Sequence, residues 1–108
     1  ELSCIRAIHD LIQKFEVRFD KIKDKYAIHK LYVKIKFNDF TTTTIECRGH
    51  WIDPGTYEEL LIKGRMRKTL PIRLLGVGVG LVPRKSDNIQ LSLFDFEEQT
   101  DQLPDLAE

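Results

Sequence analysis

One stretch of alternating residues limits the folds open to this chain more than any other feature. Its apolar positions are Leu31, Val33, Ile35 and Phe37, and its polar positions are Tyr32, Lys34 and Lys36. This alternation is typical of a strand with one buried face. Asn38 and Asp39 favour a turn, and the Thr- and Ile-rich stretch from Phe40 to Gly49 predicts a second strand. The sequence therefore predicts an antiparallel hairpin at the centre of the fold.

The residues of the second strand divide between two faces. One face carries Thr43, Ile45 and Cys47, and the other carries Thr42, Thr44, Glu46 and Arg48. A third strand is predicted over Ile72–Val82, where large apolar residues alternate with Gly76, Gly78 and Gly80. Because glycine weakens a strand, three on one face favour close approach of another backbone. The alternative is an exposed face with little packing.

Two helices complete the predicted elements. Apolar residues recur at steps of three and four from Leu2 to Tyr26, which predicts a long first helix. Asp53 and Pro54 are typical of a helix start, and Pro71 ends the second helix. Its predicted inward residues are Tyr57, Leu60, Leu61 and Gly64. With one domain's length of 108 residues, the chain is predicted to be α+β, with an antiparallel sheet of three strands and two helices.

Charge is distributed unevenly along the chain. Its 17 basic and 17 acidic residues cancel, yet residues 1–94 carry 17 basic and 11 acidic residues, and residues 95–108 carry six acidic ones and no basic one. A basic body is compatible with nucleic-acid binding, although an ordinary soluble surface with a solubilising tail is an alternative. The acidic tail is expected to be disordered. No window of 18 apolar residues exists, so a membrane partner is not expected.

The sequence contains no recognisable catalytic or metal-binding motif. The soft-ligand candidates are Cys4, His9, His29, Cys47 and His50, but they lack the clustered pairs of a zinc site. Asp39 and Glu46 are isolated, the dense acids lie in the tail, and no catalytic pair or phosphate-binding glycine loop is present. We therefore expect no catalytic residue, no metal site and no cofactor in this chain. Two cysteines suit a reducing compartment.

Two features favour interaction instead. The outward faces of the hairpin combine basic residues with small hydroxyl residues, which suits contact with phosphate backbones. The segment Gln90-Leu91-Ser92-Leu93-Phe94 places three large apolar residues before an acidic tail. Such a segment packs as an edge or docks into a partner's pocket.

Three blocks, in this order, resemble the carboxy-terminal little-finger domain of Y-family translesion DNA polymerases. They are residues 33–44 (VKIKFNDFTTTT), residues 72–79 (IRLLGVGV) and residues 90–94 (QLSLF). The resemblance spans residues 2–94. It implies a β-α-β-β-α-β domain with both helices on one face of a four-stranded sheet. The first strand of that pattern is absent before the first helix, so we expect a fragment with three strands and an exposed edge at the third.

The resemblance also implies a function. The bare sheet face would contact the DNA backbone through Lys34, Lys36, Thr42, Thr44, Arg48 and Arg73. For Arg73, simple alternation places it with Leu75, so only a bend near Leu74 turns it outward. Gln90, Leu91, Leu93 and Phe94 would bind the ring-shaped sliding clamp. Residues 1–85 would form the DNA-binding domain, and residues 86–108 a flexible tail with the clamp motif.

The resemblance places catalysis, with its magnesium, in domains outside this chain. It implies a monomeric full-length enzyme in the bacterial cytoplasm, with the nucleoid. The hypothesis is thus a non-catalytic DNA-gripping and clamp-tethering domain of an error-prone lesion-bypass polymerase. The alternative is a small α+β adaptor that docks a protein through residues 90–94 without touching DNA. A third possibility, a small enzyme, finds no candidate pocket of carboxylates in the sequence.

Overall fold

The computed structural model describes residues 2–83 and 94–99. The chain forms six elements in those ranges. They are α1 (Leu2–Asp20), β1 (Tyr26–Phe37), β2 (Thr42–Arg48), α2 (Pro54–Arg65), β3 (Ile72–Pro83) and β4 (Phe94–Gln99). The strands form one sheet in the order β2-β1-β3-β4, and every neighbouring pair is antiparallel.

The predicted α+β class with its antiparallel sheet and two helices is confirmed. Both helices pack on the same apolar side of the sheet, which we call the helix side, and the opposite side is the open face. The buried core joins residues of α1 and α2 to every second residue of β1, and Val33, Ile35 and Phe37 are at most 1% exposed. Among the residues described, no helix is both long enough and apolar enough to cross a membrane.

The number of strands differs from the prediction. A fourth strand, β4, pairs with β3 from Gly76 to Leu81 and covers the edge that was expected to be exposed. The prediction that the acidic tail is disordered is therefore wrong for residues 95–99, while residues 100–108 lie outside the described range. Phe96 explains this local order, because its ring packs against Phe15 and Phe19 of α1.

The first helix is shorter than its apolar stripe predicts. It ends at Asp20, a turn follows, and Tyr26 opens β1 by pairing with Pro83 of β3. Ile22 and Tyr26 still pack against the core, as the stripe predicts, but from a turn and a strand. Pairing with β3 therefore overrides the helical periodicity at the end of this segment.

The second helix follows its sequence signals closely. The Asp53 side chain accepts a hydrogen bond from the Gly55 amide, and Pro54 stands in the first turn. The four residues predicted to face inward are the buried ones: Tyr57, Leu60, Leu61 and Gly64. Gly64 lets α2 approach the sheet, because a Cβ there would collide with the ends of Ile35 and Ile45.

Candidate nucleic-acid interface

The pairing of β1 with β2 places most of the predicted contact residues on the open face. Lys34 lies opposite Thr44, and Lys36 lies opposite Thr42. Arg48 pairs with Lys30 at the far end of the same two strands. Because directly opposed residues of a strand pair share a face, the basic and hydroxyl side chains form one surface.

A β-bulge brings Arg73 to this surface. Phe37 pairs with Ile72 and Lys36 pairs with Leu74, so Arg73 is skipped in the register. Its guanidinium lies 4.5 Å from the centre of the Phe40 ring, and the Lys36 ammonium lies 5.3 Å from the same ring. The extra residue of the bulge breaks simple alternation and places Arg73 beside Lys36.

Phe40 is the platform on which these two cations meet. Its backbone has φ of +69°, in the left-handed region, and its side chain is 60% exposed. A cation over an aromatic ring is attracted by the electron-rich face. The turn thus holds two positive charges near one end of the open face while leaving them accessible.

A shallow depression of about 240 Å³ lies on the same face. Its lining includes Lys34, Lys36, Thr42, Gly76 and Gln99. Two ammonium groups and a hydroxyl donor are the groups that proteins use to hold phosphate oxygens. This depression therefore contains donors of the kind that hold an anion.

The glycines of β3 serve a different purpose from the one expected. A Cβ at Gly78 would collide with the Tyr32 ring, and a Cβ at Gly80 would come within 2.8 Å of the Lys30 side chain. Side chains of β1 therefore lie flat across β3, and the glycines leave room for them instead of for another backbone. Tyr32 points to the open face yet is only 3% exposed.

An acidic residue that the sequence reasoning missed also reaches this surface. The Tyr32 hydroxyl donates to Oε1 of Glu97 at 2.6 Å, and the Lys34 ammonium lies 3.4 Å from Oε2. Burial of Glu97 raises its pKa, but donation from Tyr32 and Gln99 and the charge of Lys34 outweigh burial, so the pKa lies below its usual value. Burial, followed by the bond to Glu97, raises the pKa of Tyr32. The signal for this strand was the alternation of Phe94 and Phe96 with acidic residues.

The cations of the surface differ in whether they are neutralised. Lys34 pairs with Glu97, and Lys30 pairs with Glu46 at 3.0 Å. Within residues 2–83 and 94–99, no carboxylate lies within ion-pair distance of Lys36, Arg48 or Arg73. Their charges are therefore the ones most available to an incoming anion.

Comparison with curated proteins shows what this chain is similar to. Over 92 residues, 85% of this chain, the sequence is 39% identical to DNA polymerase IV of Pseudomonas syringae pv. syringae, of which the match covers 26%. Identity is 42% to DNA polymerase IV of Protochlamydia amoebophila, over 84% of the chain and 26% of the relative. The same polymerase of Legionella pneumophila strain Lens is 37% identical over 87% of the chain and 27% of the relative. This chain is similar to bacterial DNA polymerase IV.

The resemblance to a translesion polymerase is therefore confirmed. The chain spans about a quarter of the length of these DNA polymerase IV relatives. No protein-family model matches the chain. No solved structure matches it either.

The motif resembling a clamp-binding segment lies mostly beyond what the structure describes. Gln90, Leu91 and Leu93 are outside the described residues, and Phe94 opens β4, where its backbone pairs with Leu81. The segment assigned as a tail, 86–108, thus contributes a strand to the sheet of this DNA polymerase IV relative.

Three of the five soft-ligand residues have other surroundings. Cys4 is buried, Cys47 packs against the core, and His9 of α1 pairs with Glu58 of α2. In the ranges 2–83 and 94–99, no three His, Cys, Asp or Glu residues come together as metal ligands.

Proposed function

We propose that this chain is the part of an error-prone, lesion-bypass DNA polymerase that grips DNA and tethers the enzyme to its sliding clamp, while the reaction takes place elsewhere in the protein. The observation that carries the proposal is the row of basic and hydroxyl side chains on the open face. Its support from the comparisons is that the relatives are DNA polymerases. The alternative, an adaptor that never touches DNA, gives no reason for that row.

The proposed contact is with the phosphate backbone. Lys36, Arg48 and Arg73 carry charges without carboxylate partners among the described residues, and Thr42 and Thr44 add exposed hydroxyls. Phosphate contacts fix the position of a protein on DNA but do not read its sequence. Such contacts suit an enzyme that accepts damaged templates, because they do not depend on the bases.

The remaining parts of the proposal concern the whole enzyme. Nucleotide transfer and its magnesium belong to the portion of the relatives that this chain does not match. We place the enzyme in the bacterial cytoplasm, with the nucleoid and as a monomer. In this proposal, the open-face residues of this chain bind and position DNA. Their binding raises the local concentration of DNA at the reaction site.

The DNA contact is tested by comparing two lysines of equal charge. Lys36→Ala removes a cation from the open face, and Lys63→Ala removes one from the exposed side of α2. Binding of fluorescent duplexes of several sequences is measured against salt concentration. Lys36→Ala is expected to weaken binding evenly across sequences and to lower the slope of log K against log salt by about one, since each phosphate contact contributes about 0.9. Lys63→Ala is expected to leave the slope unchanged.

Two results would contradict the backbone contact. One is a loss of affinity that depends on base sequence, which would indicate contact with base edges. The other is an equal effect of both variants, which would indicate long-range charge alone. Absence of salt-dependent DNA binding in the parent chain would favour the adaptor, because apolar docking to a protein is not steeply salt-dependent.

The tether is proposed to act through Gln90, Leu91, Leu93 and Phe94, with Ser92 exposed. Leu93 and Phe94 offer large apolar surfaces, each worth about 1.5–3 kcal/mol when fully buried. The Gln90 amide can both donate and accept, which fixes the register of an extended peptide in a groove. A tether of this kind raises local concentration without any new contact at the catalytic site.

The tether is tested by titrating purified clamp with a peptide spanning residues 89–97. We expect binding of micromolar strength, because ordering a short free segment offsets part of the apolar gain. Leu93→Ala combined with Phe94→Ala is expected to abolish it. No binding of the parent peptide at several hundred micromolar, or equal binding of the double variant, contradicts the tether.

A further inference from the structure

Strand β4 lies at the edge of β3, and one aromatic side chain, Phe96, packs it against α1. The Phe96 ring lies 5.3 Å from that of Phe15 and 6.3 Å from that of Phe19, and the Arg18 guanidinium lies 4.8 Å above it. The Arg18 side chain also donates to the Glu97 carbonyl at 2.9 Å. These contacts all lie on the helix side, so they fix which residues of β4 point to the open face.

β4 presents Asp95, Glu97 and Gln99 to the open face, and Glu97 is the central residue of the three. Its carboxylate accepts from the Tyr32 hydroxyl and faces the Lys34 ammonium, as described above. Hydroxyl and ammonium donors are the groups that bind a phosphate oxygen of a nucleic acid. The carboxylate therefore occupies a place where a DNA phosphate would otherwise bind, beside the depression formed by Lys34 and Lys36.

β4 has the properties of an edge strand that can separate from the sheet. It pairs with only the Gly76–Leu81 half of β3, and its residues Asp95 and Gln99 are exposed. Edge segments with few buried apolar contacts open at the low end of the local stability range. By contrast, β1 pairs with β3 along its whole length, from Tyr26 to Phe37.

We propose that β4 is an internal competitor of DNA, with Glu97 standing in for a phosphate until DNA displaces it. The proposal rests on the proposed function, because it requires duplex DNA to bind the open face. Since β4 and DNA would exclude each other at Lys34, each weakens the binding of the other by the same factor. Displaced β4 would also free the Phe94 backbone from Leu81, at the start of the strand.

Two neighbouring carboxylates give a matched test. Glu97→Gln removes the charge that faces Lys34, whereas Glu98→Gln removes the charge that pairs with Arg18 at 2.5 Å on the helix side. Duplex DNA binding of the whole chain is measured across a range of salt. Glu97→Gln is expected to tighten binding about two- to fivefold at low salt, the range that an exposed ion pair covers, and to steepen the salt slope by about 0.9. Glu98→Gln is expected to leave the slope unchanged.

Equal effects of the two variants would overturn the competitor and leave the proposed function standing, because binding would then respond to net charge alone. Failure of the parent and both variants to bind DNA in a salt-dependent way would overturn both proposals.

Hydrogen exchange measures the displacement of β4 directly, and a change in net charge alone does not alter it. The Phe96 and Glu98 amides are expected to be protected in the free chain and to exchange faster when duplex DNA is added. The Val33 amide in β1 serves as the control and is expected to stay protected. Lack of protection in the free chain, or protection of β4 that persists at saturating DNA, would overturn the displacement.

Discussion

The two edge strands of the sheet are attached to the molecule in different ways. β2 joins β1 through a short turn and buries Ile45, which is 6% exposed, against α2. β4 joins β3 through the ten residues 84–93 and anchors on the half-buried ring of Phe96. A longer connection costs more entropy to close, so β4 starts with the weaker attachment of the two.

The polar contacts of the two edges differ as well. The Arg67 side chain of the segment after α2 donates to the Thr43 hydroxyl at 2.6 Å, and Lys68 contacts Asp39 at 2.9 Å. Arg67 also donates to the Thr44 carbonyl, so these contacts secure β2 without using the side chains of its open-face residues Thr42 and Thr44. β4, in contrast, is held by an acid, Glu97, that lies on the open face itself. The β2 edge therefore adds donors to the candidate surface, whereas the β4 edge neutralises one of them.

The largest expected effect concerns the anchor of β2. Ile45→Ala should lower the free energy of unfolding by about 2–5 kcal/mol, because it leaves a cavity between β2 and α2 beside Gly64. Urea denaturation followed by circular dichroism measures the change. A loss below about 1 kcal/mol would mean that β2 is no better anchored than β4.

The anchor of β4 should matter less. Phe96→Ala is expected to cost about 1–2 kcal/mol, since the ring is only partly buried and full burial of such a side chain is worth about 1.5–3 kcal/mol. Exchange of the Glu98 amide should accelerate while that of the Val33 amide does not. Loss of protection throughout the sheet would show instead that β4 and the core unfold as one unit.

A smaller effect is expected where Tyr32 crosses β3. Gly78→Ala should push the Tyr32 ring away and weaken its bond to Glu97, at a cost of about 1 kcal/mol, the low end for overpacking. Ultraviolet difference spectra should report a more exposed tyrosine. Gly76→Ala is the control, because its nearest neighbour is the flexible Gln99 side chain at 3.3 Å. Similar spectra for the two variants would contradict the role assigned to Gly78.

The smallest expected effect is the response of β4 to acid. The pKa of Glu97 is lower in the folded chain than its ordinary value of 4.5. The stability that ionised Glu97 contributes is therefore fully present above pH 4.5 and is lost as the pH falls through the folded pKa. Tyr32 and Lys34 of β1 and Gln99 of β4 contact this carboxylate, Asp95 of β4 lies on the same face, and the Arg18 side chain donates to the backbone carbonyl of Glu97. The change should stay below about 1 kcal/mol for so exposed a pair.

Nuclear magnetic resonance can follow this transition through the chemical shift of the Gly78 amide, because Gly78 pairs with Glu97 across β3 and β4. Its chemical shift should change as pH falls below 4.5, and Glu97→Gln should remove the change. A transition that persists in that variant would assign it to another carboxylate, with Asp95 the nearest candidate.

Much of the fold could be predicted because the relevant signals are local. The alternation from Leu31 to Phe37 gives the faces of β1, and Asp53 with Pro54 gives the start of α2. β4 could not be predicted in this way, because its charges looked like those of a disordered tail. The residues that neutralise them, Arg18 and Lys34, are more than 60 positions away in sequence.

The candidate surface was predictable to a similar extent. Strand parity placed Lys34, Lys36, Thr42 and Thr44 on the open face, and the register agrees. The position of Arg73 depended on a bulge, which residue types alone do not determine. The burial of Tyr32 on the otherwise open face was missed, because it needs the glycine gap of β3 and the acid of β4 together.

The bulge at Arg73 has a consequence for how the length of this chain can vary. Ile72 and Leu75 are both buried although they are three positions apart, an odd spacing that a regular strand cannot place on one face. The additional residue, Arg73, thus shifts the alternation of buried and open-face residues in β3 by one position before the glycine stretch. A single deletion at Arg73 would make this spacing even and restore regular alternation, with Ile72 and Leu75 still on the helix side. Loss of two residues would instead leave Ile72 and Leu75 on opposite faces of a regular strand, so a single deletion at the bulge should be tolerated and a double deletion should not.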